Sequence, residues 1–478
     1  MATVSALFSL ASFILAGAGL SIPALDYILI RRRRTAPYLT LATLAAALAI
    51  YTVMAVSLAS SSSIVVFGGA LRLDFYGAFL GVLVAAGALL VAIASLPEVS
   101  KWPLSPSFYS LVLLALTGVE VMLYIADLVV LLVTWALVAV ASYVLVGIKK
   151  DEPSVEGAAK YALMGVASSS LMVYGIAILY GLTGSTALPL KSPQQGFLLF
   201  SAGVLLLVAS FGFKLGVVPF HGWLPDVYGG VHPLVVSYIA GVVKVVGIIA
   251  LVRVLYPLGP ALGVKWTQLL AILSIATMTF GNVVALVQQN VQRMMAYSSI
   301  AHAGYLLVGL AAAISPAGKS YGIQGVALHM TAYILAKVGI FLGLAYLARK
   351  GVELTLAGIR GVGRTMPAIS LGIAIQIISL MGVPPFLGFW SKFIYLFLSV
   401  FDVAPGLALA AIINSGISVG YYAQVLRQMY FPKEFPKEAR KESAKDPEVI
   451  VVLITAIAAT ILGLGPAVAL APKLIPAP

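Results

Sequence analysis

The chain has 478 residues, 61% of them hydrophobic and only 9% charged, with a net charge of +13 and a mean hydropathy of +1.07. That balance excludes a soluble domain and makes the membrane the solvent. Cysteine is absent, the four histidines lie far apart in sequence, and neither H-E-x-x-H nor G-x-x-x-x-G-K-[ST] occurs, so the chain offers no Cys-ligated cluster, no zincin motif and no phosphate loop.

In chain order, apolar runs of about 20 residues predict spans near 4–30, 38–58, 75–96, 107–126, 128–147, 157–181 and 197–220, then 233–256, 266–287, 294–314, 321–347, 367–400, 404–430 and 447–470. The first run has no basic region before it and is followed by Arg31 to Arg34, which reads as a span rather than a signal peptide. Alternating the loops puts 19 basic residues on one side, including Arg31 to Arg34, Lys149, Lys150, Arg349, Lys350, Lys433, Lys437, Arg440 and Lys441. The other side receives six: Arg72, Lys191, Arg253, Lys265, Lys319 and Lys473. This asymmetry predicts that the first side is cytoplasmic and both termini are outside. The net charge then reads as a topology signal and lipid headgroup contact, not nucleic-acid binding.

Four basic residues remain, Lys214, Lys244, Lys337 and Lys392, and all lie within spans. A charge at mid-membrane costs at least ~2.5 kcal/mol, and snorkelling relieves it only near helix ends, so these lysines are candidate functional groups. Lys214 and Lys392 flank two breaks of similar wording, G-V-V-P-F-H-G-W around Pro219 and G-V-P-P-F-L-G-F-W around Pro384 and Pro385. The breaks fall in the seventh and twelfth spans. Five spans is an odd unit, so a second copy sits upside down, as in transporters with inverted repeats and discontinuous helices. His329, Tyr333 and Lys337 share one helical stripe at i, i+4 and i+8, and His302 lies mid-span near Tyr297, Ser298 and Ser299. For those hydroxyls the plainer reading is helix–helix hydrogen bonding. A lysine ladder with interposed histidines reads as a proton relay.

The segments KYALMGVASSSLMVYGIAILYGLTGS, KLGVVPFHGWLPDVYGG, NVQRMMAYSSIAHAGYLLVGL and SLMGVPPFLGFWSKF resemble the antiporter-like subunits of respiratory complex I, most closely subunit N and its archaeal relatives. LHMTAYILAKVGIFL is more similar to the Mrp-like and hydrogenase-associated versions, which keeps an Mrp-type or membrane-bound-hydrogenase cation/proton antiporter subunit as the alternative. The resemblance covers about residues 70–430. It implies an all-α polytopic membrane protein of about 14 helices with two inverted five-helix repeats and discontinuous helices 7 and 12. The expected division is 1–100 for helices 1–3, 107–256 and 266–430 for the two repeats, and 431–478 for a cytoplasmic loop and the last helix. It further implies proton transport with no cofactor on this chain. Flavin, iron–sulfur clusters and quinone would belong to partner subunits, comprising other membrane subunits and a hydrophilic redox arm, in the cell membrane.

By the resemblance, Lys214, Lys244 and Lys392 match the lysines of helices 7, 8 and 12, and Lys337 matches that of helix 11 in some branches. The family's glutamate of helix 5 is missing, with Ala136 in its place. Glu120, on helix 4, lies seven residues before the turn near Asp127 and Ala136 nine after it, about 10 and 14 Å along their helices. The expectation is that Glu120 has taken over the partnership with Lys214. Relay would then run from Lys214 to Lys244 and on through His302, His329 and Lys337 to Lys392. A structural spacer that has lost pumping is disfavoured by retention of four costly buried lysines.

Overall fold

The computed structural model describes residues 2–28, 35–193, 195–316, 321–432 and 442–475. The basic residues Arg31 to Arg34, Lys319, Lys433, Lys437, Arg440 and Lys441, used for the orientation, lie outside the described residues.

Helices α1 (Ala2–Ile28) and α2 (Thr35–Leu58) lead into a short antiparallel hairpin of β1 (Ile64–Val66) and β2 (Leu71–Leu73), with Val65 opposite Arg72. The hairpin was expected only as loop; Arg72 N–H donates to the Tyr124 carbonyl and so ties it to the end of the fourth helix. Next come α3 (Phe75–Val99), α4 (Ser105–Met122), α5 (Leu128–Val146), α6 (Glu152–Thr183) and α7 (Phe197–Leu215). Asp74, Asp127 and Asp151 accept backbone N–H groups at the starts of α3, α5 and α6, which fixes where three spans begin.

After the short α8 (Trp223–Gly230), α9 (Pro233–Tyr238) runs through a π-helical turn, Ile239–Val243, into α10 (Val245–Leu262). Helices α11 (Val264–Leu286), α12 (Val291–Ile314) and α13 (Tyr321–Arg349) follow. The remainder is α14 (Val362–Thr365), α15 (Pro367–Met381), α16 (Leu387–Phe389), a π-helical stretch Trp390–Phe397, α17 (Leu398–Phe401), α18 (Pro405–Tyr430), α19 (Pro447–Gly463) and α20 (Pro466–Leu470).

Among the described residues, 12 helices are long and apolar enough to cross a membrane, and a pair bent by 63° over Pro447–Gly463 and Pro466–Lys473 makes up to 13. The protein is therefore an all-helical multi-pass membrane protein. The twelfth predicted span, 367–400, read above as broken around Pro384 and Pro385, consists of two shorter apolar helices, Pro367–Met381 and Leu387–Phe401; Gly382 to Pro385 interrupt the backbone ladder between them.

Helix α13 is the axis of the bundle, packed against α3, α9, α12, α15 and α19. The apolar windows of the α9–α10 span, α12 and α13 are 100%, 89% and 94% buried, against 28% for α1 and α6. Lys244, His302, His329 and Lys337 thus lie on the helices most sealed from lipid. Arg253, assigned above to the outer loops, is instead buried inside α10, which extends past the expected end of that span. It grips Asp74 with two hydrogen bonds of 2.6 and 2.8 Å.

Candidate functional site

Both lysines at the breaks follow from how a helix ends inside a bundle. Helix α7 closes on Gly216 (φ 80°) and α15 on Gly382 (φ 87°), a left-handed conformation that favours glycine. A helix ending at membrane depth leaves carbonyls that only protein groups or cavity water can satisfy. Trp223 Nε1 donates to the Phe213 carbonyl at 2.8 Å, and Lys392 Nζ donates to the Leu380 carbonyl at 3.0 Å. Lys392 is therefore also a cation at a helix C-terminus, where the dipole favours it. Pro219, Pro384 and Pro385 are exposed at the two interruptions.

The four lysines are at most 2% exposed, and among the described residues none of them pairs with a carboxylate. Their partners are neutral. Lys214 donates to Ser142 Oγ (3.1 Å) and lies over the rings of Tyr161 (4.8 Å) and Tyr143 (5.5 Å). Lys244 donates to the Ser299 carbonyl (2.7 Å), and Lys337 to Ser298 Oγ (2.9 Å) and the Met295 carbonyl (3.0 Å). Lys244 and Lys337 share the ring of Tyr333, at 5.3 and 5.7 Å. Lys392 donates to Ser415 Oγ (3.1 Å) and lies 4.4 Å from the Tyr305 ring centre. Carbonyls, hydroxyls and aromatic faces hold an ammonium without bringing a second ionised group. Lys244 directly follows one π-helical turn and Lys392 lies within the other, a backbone irregularity frequent at functional sites.

The two histidines, 27 residues apart in sequence, are in direct contact. His302 Nδ1 and His329 Nε2 are 2.9 Å apart. His302 Nε2 lies 3.1 Å from the Tyr422 hydroxyl, which is 2.6 Å from Ser298 Oγ. His329 Nδ1 lies 3.0 Å from Ser391 Oγ, which donates to the Gly388 carbonyl. Lys337, Ser298, Tyr422, His302, His329 and Ser391 thus form one bonded chain, ending beside Lys392 in sequence. Sequence reasoning found the lysines and histidines but missed Tyr422, Ser391, Ser142 and Ser415. A polar stripe on α18, Asn414, Ser418 and Tyr421 or Tyr422 at helical spacing, was the available signal.

The expected contact of Glu120 with Lys214 is not formed. Glu120 is fully buried, yet neither carboxylate oxygen has a hydrogen-bond partner among the described residues. It faces α3, where a Cβ added to Gly81 would lie 2.8 Å from Oε2 and 3.5 Å from the Tyr124 hydroxyl. Lys214 reaches α5 and α6 instead. Ala136 is exposed on α5, while Ser142 on the same helix is buried and receives Lys214. The depth comparison fixed height along the hairpin but not rotation about each helix, and rotation separates these groups.

Residues 126–418 match the family described as NADH:quinone oxidoreductase/Mrp antiporter, transmembrane. The chain belongs to this family. Within the NADH:quinone oxidoreductase/Mrp antiporter family, it is 35% identical over 380 residues to F(420)H(2) dehydrogenase subunit N of Methanosarcina mazei, covering 77% of this chain and 76% of that one. It is 34% identical over 401 residues to NADH-quinone oxidoreductase subunit N of Heliobacterium modesticaldum, covering 82% and 83%. Among solved structures, a chain of respiratory complex I from Thermus thermophilus matches with TM-score 0.81 and 28% identity over 97% of this chain and 98% of that one. A chain of the Mrp complex from Dietzia matches with TM-score 0.88 and 20% identity, over 99% and 96%, a likeness of fold.

Proposed function

We propose that this chain is a proton-translocating membrane subunit of a complex I-like donor:quinone oxidoreductase. The observation that carries the reading is the set of four buried amines held by neutral partners. A lysine without a fixed counter-charge can lose and regain its proton as neighbouring charges change. In this reading Lys214 answers a perturbation at one end, Lys244 and Lys337 pass the proton on, and the His302/His329 pair delivers it toward Lys392 and the outside. Glu120 stands as a separate buried acid between α3 and α4, off the bonded chain.

The architecture proposed with this function is two inverted five-helix repeats, 107–256 and 266–430, after helices in 1–100 and before a cytoplasmic loop and last helix in 431–478. The two breaks support it: both close on a left-handed glycine, lie five predicted spans apart and carry a buried lysine. The basic-residue asymmetry supports cytoplasmic main loops, both termini outside and a place in the cell membrane. The names of the relatives support other membrane subunits and a hydrophilic redox arm as partners. Those partners would hold the flavin, iron–sulfur clusters and quinone site, with no redox centre on this chain. The two relatives' names differ in donor, F(420)H(2) and NADH. A cation/proton antiporter subunit of the Mrp type is the second reading, favoured by the Dietzia fold match.

Gentle purification from the native membrane tests the proposal. The expected result is co-purification with membrane and redox subunits, and quinone reduction by the complex in sealed vesicles that acidifies one side. Isolation of the chain as a solitary, active cation/proton exchanger would overturn it.

A further inference from the structure

The bonded chain has two ends that can each do only one thing. A charged Lys337 can only give hydrogens, and the Gly388 carbonyl can only accept one. Between them stand Ser298, Tyr422, His302, His329 and Ser391, linked by heavy-atom gaps of 2.9, 2.6, 3.1, 2.9, 3.0 and 3.1 Å. Each hydroxyl has one hydrogen, and each neutral imidazole has one N–H and one bare nitrogen. Fixing the ends therefore fixes every hydrogen between them. Ser391 gives its hydrogen to Gly388, so His329 carries its own on Nδ1. His302 likewise carries its hydrogen on Nδ1, Tyr422 donates to His302 Nε2, and Ser298 donates to Tyr422.

We propose that Tyr422 and Ser298 are proton-carrying groups of a side-chain wire, polarised in one direction, that connects Lys337 to the His302/His329 pair. The proposal rests on the proton-translocating function above. In one passage the Lys337 ammonium breaks an N–H bond to Ser298 Oγ, and Ser298 passes its former hydrogen to the Tyr422 oxygen. Tyr422 passes its own to His302 Nε2, and His302 releases its Nδ1 hydrogen to His329 Nε2. One positive charge has left Lys337 and stands on His329, with every intermediate group neutral as before. Every hydrogen between Lys337 and His329 now points back toward Lys337, while His329 keeps its Nδ1 hydrogen toward Ser391. Return is closed once Lys337 is protonated again, because an ammonium has no lone pair. Lys244, which shares the Tyr333 ring with Lys337, is the adjacent source of that proton. The wire then has to turn its hydroxyls and imidazole tautomers before it carries another, which makes it a one-proton device per cycle.

The test uses the assembled complex in sealed vesicles, reading protons moved per electron transferred. Tyr422→Phe and Ser298→Ala should each lower that yield as much as Lys337→Met does, while Ser298→Thr should retain it. Tyr109→Phe, whose hydroxyl pairs with Ser95 Oγ at 3.0 Å away from the wire, should leave it unchanged. Wild-type yield in both Tyr422→Phe and Ser298→Ala, with loss in Lys337→Met, overturns the wire and leaves the proposed function standing. Wild-type yield in Lys337→Met as well overturns the proposed function. If the variants do not assemble, nitrogen-15 spectra of the histidine-labelled wild-type complex in bilayers, taken without electron donor so that the wire is at rest, decide: both His302 and His329 should then carry hydrogen on Nδ1, and a resting Nε2–H tautomer at either overturns the wire.

Discussion

Arg253 and Lys244 lie on one span of this protein, both buried in the bundle, and they are treated in opposite ways. The Arg253 guanidinium grips Asp74 in a two-pronged ion pair and also donates to the Leu123 carbonyl. The Lys244 amine has one carbonyl and the face of a tyrosine. Arginine is always charged and its planar fork matches a carboxylate, so the first arrangement is a fixed clamp between α10 and the start of α3. The second leaves a lysine whose charge no neighbour fixes. The bundle thus holds Arg253 with a carboxylate and the four lysines with neutral partners only.

Replacing the two cations separately tests that distinction. Lys244→Met should abolish proton movement by this subunit, because a thioether carries no proton, while leaving thermal stability unchanged or higher. Exchanging buried ionic groups for apolar ones of similar volume is often neutral or stabilising by ~1–4 kcal/mol. Proton yield in vesicles and thermal unfolding in detergent, taken on one preparation, check both halves. Wild-type yield in Lys244→Met, or a large loss of stability without loss of yield, would turn Lys244 into a second Arg253.

The converse applies to the clamp. Asp74→Asn leaves Arg253 buried without its counter-charge, and breaking such a pair costs ~3–5 kcal/mol. The expected outcome is a markedly lower unfolding temperature and poor recovery from membranes, with normal proton yield per folded complex. Unaltered unfolding in Asp74→Asn would mean that the ion pair contributes nothing to holding the start of α3 to α10.

The same contrast explains what was legible in the sequence. Charges inside apolar spans are rare, so Lys214, Lys244, Lys337 and Lys392 stood out, as did His302 and His329. Hydroxyls are common in membrane helices and usually bond a carbonyl of their own helix, as Thr331 does to Ala327 and Thr40 to Ala36. Ser298 stood among other hydroxyls near His302 and Tyr422 in the polar stripe of α18, but nothing in sequence joined the two, since their contact bridges α12 and α18 across 124 residues. The Arg253–Asp74 pair spans 179 residues and was likewise invisible, which is why Arg253 was counted with the outer loops. Glu120 was misjudged for a geometric reason: helical rise gives depth, but azimuth depends on how α4 packs. Span positions were readable from hydropathy because each needs an apolar run. The interruption at Gly382 to Pro385 was readable from Gly and Pro, but the π-helical turns at Lys244 and Lys392 were not.

The smallest effect belongs to a third class of charge, at the ends of the helices. At the end of α13, Arg349 pairs with Glu448 at 2.8 Å, and both Arg349 and Lys350 approach Asp446 at 3.2 Å. Burial pushes the Asp446 carboxyl up, but the Lys350 hydrogen bond and the charges of Arg349 and Lys350 outweigh it, leaving the group below its ordinary range. A carboxyl depressed in the folded state contributes stability that is present above its unfolded value, about 3.9, and is lost as pH falls through the folded value. The contribution of Asp446 to the join between α13 and α19 should therefore be constant near neutrality and be lost only in acid, below about pH 4. Half-exposed ion pairs of this kind contribute ~0.2–1 kcal/mol, far less than the Arg253 clamp. Hydrogen exchange of the first-turn amides of α19, followed from neutral pH into acid after correction for intrinsic rates, should show that late loosening in the wild type. In Asp446→Asn those amides should exchange modestly faster at neutral pH, with a flatter acid response. Loosening of the wild type already near neutral pH, or an undiminished acid response in Asp446→Asn, would assign the pH dependence of this junction to another group.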